Sequence, residues 1–390
     1  MSDIPKTLMN RRSILKSAGA GLVSVAGLGA MGLTASAART AEAAMGPGGD
    51  LNMRSDGTYE TVPLEKDTVT VAVVQTRVQA VDANSPETGL KDNLDHMLRA
   101  IDKVFHWNPP SDIVQFHEFP ITGFDIWTRK ECQRLSIEVP GEQTEAIGKK
   151  AKQYGCYIVF GSYVVDADWP GHVLSVTTII GPDGKVADKH WKARNIKGVF
   201  PGIELYTTTI YDVLDEYIEM YGPDAVIPIT RTPVGNIATS SVQREPELFR
   251  TFAMKGAEIM LRTASGGFSE IDVQACAMYN GFYTTMCNNA VSPGNPNFFE
   301  DAGASSGGSM ILGPRGEEMA KAREQETVIS ARIPLAQFRK RHRQPFMHKA
   351  LYMPVLEQYE NAYAPDLFSE YQPTDLYDAK DYLKDKSRWK

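Results

Sequence analysis

Short β-branched runs alternate with amphipathic helical stretches along this 390-residue chain, which predicts an α/β fold of one mixed sheet, or two, covered by helices. Three observations carry that expectation. Apolar runs of strand length recur, rich in Val and Ile. Between them stand segments whose apolar residues repeat at helical spacing. Two Gly-Pro turns fold strands back on themselves, which adds antiparallel neighbours to a parallel alternation.

The elements follow in order. Thr68 to Val74 reads as a buried strand. Leu94, Met97, Leu98, Ile101 and Val104 give residues 87–105 a helical period. Residues 111–116 form a second strand that runs into His117-Glu118, followed by a helix over 142–154 and a strand over 157–163. Val176 to Ile180 turns through Gly181-Pro-Asp-Gly184 into a strand ending at Trp191. A helix over 210–221, a strand over 236–241 and a helix over 247–255 come next, then strands over 259–262 and 282–287. Ser309 to Leu312, the turn Gly313-Pro-Arg-Gly316 and a strand reaching Ile333 repeat the hairpin pattern. Beyond Arg339 the chain reads as an irregular arm rich in aromatics and proline.

Composition narrows the function. Lys and Arg total 41 against 48 Asp and Glu, a net charge of −7 with no basic stripe, which argues against a nucleic-acid partner. Four cysteines in so long a chain are no disulfide scaffold, and no CxxC or HExxH spacing suggests a metal; no cofactor is expected. The N-terminus is an address. Asn10-Arg11-Arg12-Ser13-Ile14-Leu15-Lys16 precedes a mild Ala- and Gly-rich run, with small-residue sites at Ala35-Ser36-Ala37 and Ala41-Glu42-Ala43. This resembles a twin-arginine export signal over residues 1–43. Its cleavage would leave a periplasmic or otherwise exported protein with no stable membrane insertion and a charge of −10. Residues 44–66 then read as a polar linker, 67–345 as the main domain and 346–390 as a C-terminal arm.

Three strand ends carry reactive groups. Phe116-His117-Glu118-Phe119 places a carboxylate just past a strand in an apolar setting suited to a general base. Lys192 follows the second strand of the first hairpin, where an ammonium would steady an oxyanion. Gly235 to Glu247 is a strand running into a helix, a junction of the kind that exposes a nucleophile.

In this order the segments resemble the nitrilase, or carbon–nitrogen hydrolase, superfamily. The resemblance spans about residues 67–345. It includes Pro140-Gly-Glu-Gln-Thr-Glu145, Ile158-Val-Phe-Gly-Ser-Tyr163, Trp169-Pro-Gly171, Ala253-Met-Lys-Gly-Ala-Glu258 and Gly307-Gly-Ser-Met-Ile-Leu-Gly-Pro-Arg-Gly316. It implies a four-layer αββα sandwich that assembles as a homodimer or larger oligomer. It also implies cofactor-free hydrolysis of small amides or nitriles by a Glu–Lys–Cys triad. Carried across, Glu118 is the base and Lys192 holds the oxyanion.

The family's cysteine has no counterpart at the elbow. Counting forward seven from Gly235 gives Val242 and counting back six from Pro246 gives Ser240, because the elbow is two residues short. Ser240 or Ser241 is then the candidate nucleophile, with Val242, the forward count, as the remaining alternative at the turn. Cys276 and Tyr279 stand where the family commonly has Arg and Glu, and Cys276 and Cys287 read as buried thiols. A thiol pKa near 8.5 against roughly 15.7 for a water-like hydroxyl sets an upper bound of about 10 kcal/mol on the deprotonation handicap of serine. His117 and His190 are the only histidines close in sequence to the acid and the cation, and strand alternation turns His117 away from Glu118. Glu204 is the nearest candidate for a second pocket acid, without a spacing that assigns it. The run Arg339 to Arg343 reads as part of an arm near a subunit interface, and Trp107, Trp127, Tyr163 and Trp169 as core. Two functions follow: an exported hydrolase of a small linear amide or nitrile with serine in place of cysteine, or a catalytically silent member that binds a ligand or partner.

Overall fold

The computed structural model describes residues 54–77, 79–107, 109–195, 206–290 and 307–389; the expected export signal and Glu204 lie outside them. Its first half runs β1 (Val69–Gln75), α1 (Pro86–Trp107), β2 (Ile113–Gln115), α2 (Arg129–Leu135), α3 (Glu142–Tyr154), β3 (Tyr157–Val164), β4 (Leu174–Ile180) and β5 (Val186–Trp191). A helix α4 (Leu214–Tyr221) leads to β6 (Thr230–Thr232), β7 (Gly235–Ser240), α5 (Pro246–Met254), β8 (Ile259–Thr263), α6 (Glu270–Asn280) and β9 (Tyr283–Cys287). The chain ends with β10 (Met310–Leu312), β11 (Glu318–Lys321), β12 (Thr327–Ile333), α7 (Leu335–Arg341), α8 (Lys349–Leu356), α9 (Leu367–Glu370) and α10 (Leu376–Lys386).

The described strands form two six-stranded sheets, ordered β12-β1-β2-β3-β4-β5 and β11-β10-β9-β8-β7-β6. In each, three parallel strands stand at the centre, β1-β2-β3 and β7-β8-β9, with antiparallel strands outside them. The alternation of side chains explains the layers. Val69, Val71 and Val73 of β1 pack between the sheets with Ile237, Ile259, Leu261 and Ile311. Ala72 and Val74 point the other way, onto Met97, Ile101 and Val104 of α1 and Ile147 and Ala151 of α3. Ala238 and Met260 of the second sheet bury against Phe249 and Phe252 of α5. Strands buried on both faces need two apolar sides, which is why β1 reads as a continuous apolar run. The order of layers is helix, sheet, sheet, helix: the expected αββα sandwich.

Two segments depart from their sequence reading. Residues 57–65, read as linker, run as a strap over the second sheet: Tyr59 is buried, Glu65 N–H donates to Pro233 O at 3.0 Å, and Gln344 N–H donates to Gly57 O at 2.9 Å. The C-terminal segment is helical and docked rather than irregular. Leu376, Ala379 and Leu383 of α10 join Phe119, Phe124, Trp127 and Tyr163 in one apolar cluster. The buried Arg129 guanidinium donates to Pro373 O at 2.6 Å and Tyr206 O at 2.7 Å. Polar residues dominate this stretch, so the few apolar positions of α10 gave too thin a pattern to register. α2 was missed for a similar reason: at seven residues it is held less by periodicity than by the Thr128–Glu131 capping box.

Glu258 ties strap, sheet and tail together. It is fully buried, and Arg339 of α7 meets it with two bonds of 2.7 and 2.8 Å. Tyr59 Oη donates to Glu258 Oε1 at 3.0 Å and Asn236 N–H to Oε2 at 2.9 Å. Arg339 is thus engaged inside the protomer. Breaking a buried pair strands a charge away from water, so Arg339→Met is expected to lower unfolding free energy by about 3–5 kcal/mol in urea titrations. A loss below about 1 kcal/mol would show that the pair carries little of the fold.

Candidate active site

The acid reaches its place because the chain crosses a glycine. After β2, Phe116 N–H donates to Val159 O at 2.8 Å and Gly161 N–H to His117 O at 3.1 Å, so residues 116–118 pass across β3. A Cβ on Gly161 would stand 2.3 Å from Glu118 O and 2.8 Å from Glu118 Cα. Only glycine admits that approach. From the other side Lys192 extends β5, its N–H donating to Ser175 O of β4 at 2.8 Å. Glu118 and Lys192 are both buried, and Lys192 Nζ donates to Glu118 Oε1 at 3.0 Å. Ser265, two residues past β8, donates its hydroxyl to the other oxygen, Oε2, at 2.8 Å. The site therefore draws on strand ends of both sheets.

The elbow is built and braced, and neither of its serines hydrogen-bonds to Glu118 among the described residues. β7 ends at Ser240, opposite Arg262 of β8. Ser240 Oγ accepts the N–H of Val242 at 3.1 Å, a local turn in which the side chain folds onto its own backbone. Ser241 is half-buried beside it. The side-chain hydrogen bonds of Glu118 go to Lys192 and Ser265 and to neither elbow serine. Arg244 sits at φ +57°, a left-handed conformation that costs a non-glycine residue roughly 1–2 kcal/mol. Two arginines hold the turn. Arg194 pairs with Glu245 and donates to Gln243 O at 2.8 Å. Arg262, with no exposed surface, donates to Val242 O at 3.1 Å, pairs with Asp272 at 2.5 Å and lies over the Phe249 ring.

His117 and His190 are held by partners other than Glu118 and Lys192, and the cysteines are buried. His117 Nε2 meets Thr76 Oγ1 at 3.0 Å, and burial pushes its pKa down to about 3. It faces away from Glu118, as alternation predicts. His190 is held by Thr239 at 3.0 Å, Thr230 at 2.9 Å and Asp188 at 3.2 Å. Burial works against the Asp188 charge, but His190 and Thr230 outweigh it and hold the acid at about 2. All four cysteines are buried; burial raises Cys276 to about 11 and Cys287 well above its usual range. They are packing thiols. Tyr163 and Trp169 are core, whereas Trp107 is 78% exposed and lines nothing.

Ser265 is the contact of Glu118 that sequence reasoning missed, because the family resemblance points to the elbow after β7 instead. The available signal was the run Ile259 to Thr263 ending in Ala264-Ser265-Gly266, a hydroxyl at the carboxyl end of a central parallel strand, where such sheets place ligands.

Two facing mixed sheets with an acid and a cation joined at their strand ends define an α/β enzyme-like scaffold of the αββα class. The carbon–nitrogen hydrolase profile matches residues 70–343, and the chain belongs to that family. The omega-amidase NIT2 of Xenopus tropicalis is 28% identical over 207 residues, 51% of this chain and 68% of that protein. The bifunctional nitrilase/nitrile hydratase NIT4A of Lupinus angustifolius is 25% identical over 227 residues, 53% of this chain and 59% of that one. The fold is shared with a cysteine-to-alanine mutant of the Nesterenkonia AN1 amidase, at TM-score 0.54 and 15% identity over 75% of this chain and 99% of that one. It is also shared with a carbon–nitrogen hydrolase of Helicobacter pylori G27, at TM-score 0.54 and 17% identity over 75% and 96%.

Two predictions follow from the site's packing. Gly161→Ala would force Glu118 off β3, lowering stability by about 1–3 kcal/mol in thermal unfolding and opening the Glu118–Lys192 contact. An unchanged Tm would contradict that crossing. His117 is neutral when folded and takes a proton near pH 6.5 once unfolded, so its contribution is complete above pH 6.5 and is lost as pH falls toward 3. Across that window, His117→Gln should flatten the fall of unfolding free energy by up to about 1.4 kcal/mol per pH unit.

Proposed function

We propose that this protein is an exported hydrolase that cleaves a small linear amide, or a nitrile, to a carboxylic acid and ammonia or an amine, using a serine hydroxyl where the family uses a thiol. The observation that carries this reading is the 3.0 Å contact between Glu118 and Lys192, both buried, at the ends of β2 and β5. A carboxylate so placed takes the proton of the attacking group, and the adjacent ammonium stabilises the oxyanion that develops on the substrate. Ser240 and Ser241 are the hydroxyls at the elbow itself. A glutamate-to-glutamine mutant of the Nesterenkonia sp. AN1 amidase supports the reading by its chemistry: it shows covalent addition of the acetamide moiety of fluoroacetamide at the active site cysteine. The twin-arginine pattern at Arg11-Arg12 supports periplasmic or other exported placement, and the family's habit supports a homodimer or larger assembly.

A second reading has its own observation. The elbow is two residues short and Ser240 Oγ is engaged by Val242 N–H, as expected of a silent family member that binds a ligand through the old pocket. Ammonia release from a panel of short aliphatic amides and nitriles separates the two. The hydrolase reading expects turnover that Glu118→Gln abolishes and Lys192→Met lowers by roughly 10²–10³. A folded wild-type protein that releases nothing from the panel leaves the binding reading.

A further inference from the structure

We propose that Ser265, not an elbow serine, is the nucleophile, an inference that rests on the hydrolase reading above and names the atom that does its work. The Ser265 hydroxyl donates to Glu118 Oε2 at 2.8 Å, the contact a nucleophile needs with its base. Lys192 occupies the other oxygen, which fixes the carboxylate's rotation and turns Oε2 toward Ser265. Ser265 is half-buried, open enough to meet a substrate, whereas Ser240 is 7% exposed and accepts from its own turn.

The support beneath Ser265 is rigid. Gly266 follows at φ +106°, a conformation reserved for glycine, and turns the chain sharply between β8 and α6. Gly266 N–H donates to Asn288 Oδ1 and Asn289 Oδ1, both at 3.0 Å, and its carbonyl accepts from Asn288 Nδ2 at 2.7 Å. Both asparagines are fully buried. Gln115 of β2 donates to Arg262 O at 2.6 Å, which ties the acid's strand to the serine's strand across the two sheets. Held this way, the hydroxyl approaches its base with little left to reorganise.

The chemistry balances with water as the only other reactant. Ser265 gives its proton to Glu118 as Oγ bonds to the amide carbon, and the carbonyl oxygen becomes an oxyanion beside the Lys192 ammonium. Collapse breaks the C–N bond while Glu118 returns the proton to the departing nitrogen, releasing ammonia from a primary amide. Water, deprotonated by Glu118, then attacks the Ser265 ester; the ester C–O bond breaks and the proton returns to Ser265, leaving the carboxylic acid.

The test combines turnover with two covalent probes on the full-length folded protein. Ser265→Ala should lower amide turnover by roughly 10³-fold while the protein stays folded, as checked by circular dichroism. p-Nitrophenyl acetate with acid quench and peptide mapping should leave the acetyl group on Ser265. Because the four native thiols are buried, Ser265→Cys should gain one iodoacetamide-reactive site, and adding Glu118→Gln should slow that alkylation. Acetylation of Ser240 or Ser241 overturns the proposal, as does full turnover by Ser265→Ala; either leaves the hydrolase reading standing. If the wild type turns over no amide, that reading fails and the acetylation decides alone: acetyl on Ser265 keeps the assignment, and no acetyl removes it.

Discussion

A carboxylate and an ammonium withdrawn from water set the terms for everything around them. Each ion forfeits several kcal/mol of hydration, and only a close partner with further hydrogen bonds makes that tolerable. Glu118 and Lys192 stand on strands that are not neighbours: β3 and β4 lie between β2 and β5. At about 4.8 Å per strand the direct span is too wide for the two side chains alone. The chain closes it with backbone. Residues 117–118 cross β3 over Gly161, and Lys192 hydrogen-bonds to Ser175 of β4, whose register partner Tyr163 is two residues from that glycine. A missing side chain at position 161 is thus the geometric condition for the ion pair.

The second sheet supplies what the first cannot. Gln115 bridges to Arg262 O and accepts from Thr285 Oγ1 at 2.5 Å, so a neutral polar link crosses the apolar layer just below the acid. The arginines at positions 194 and 262 then reach the turn after β7 from opposite sheets. Each of these arginines has a carboxylate partner of its own, Glu245 for Arg194 and Asp272 for Arg262, and Lys192 is the ionic partner of Glu118 among the interactions described.

Much of this was legible in the sequence, for reasons that can be named. The layers followed from alternation in β1 and the helical period of α1, because burial on both faces writes itself into composition. Glu118 and Lys192 were found because the resemblance covers their strand ends, and they meet. The strap, α10 and Ser265 were hidden for different causes. Tyr59 is a single buried aromatic in a polar stretch, and α10 buries only three residues. Ser265 lies 147 positions from Glu118, and its role depends on the register between sheets, which no local pattern encodes.

The same register bears on how a hydroxyl could act at all. Both histidines near the pair in sequence are tied to threonines, and His117 is kept neutral by burial. On the proposed reading the base is Glu118, and a carboxylate is poorly matched to an alcohol whose pKa lies roughly eleven units above that of a reference glutamate. Proximity offsets part of that gap: a hydrogen bond already formed at 2.8 Å removes the search for geometry, and a well-oriented group can be worth about 7–11 kcal/mol. The Lys192 ammonium at the carboxylate's far oxygen adds stabilisation of the oxyanion. A handicap only partly offset favours substrates whose carbonyl is already activated, so such a site would turn over esters and activated amides faster than plain ones.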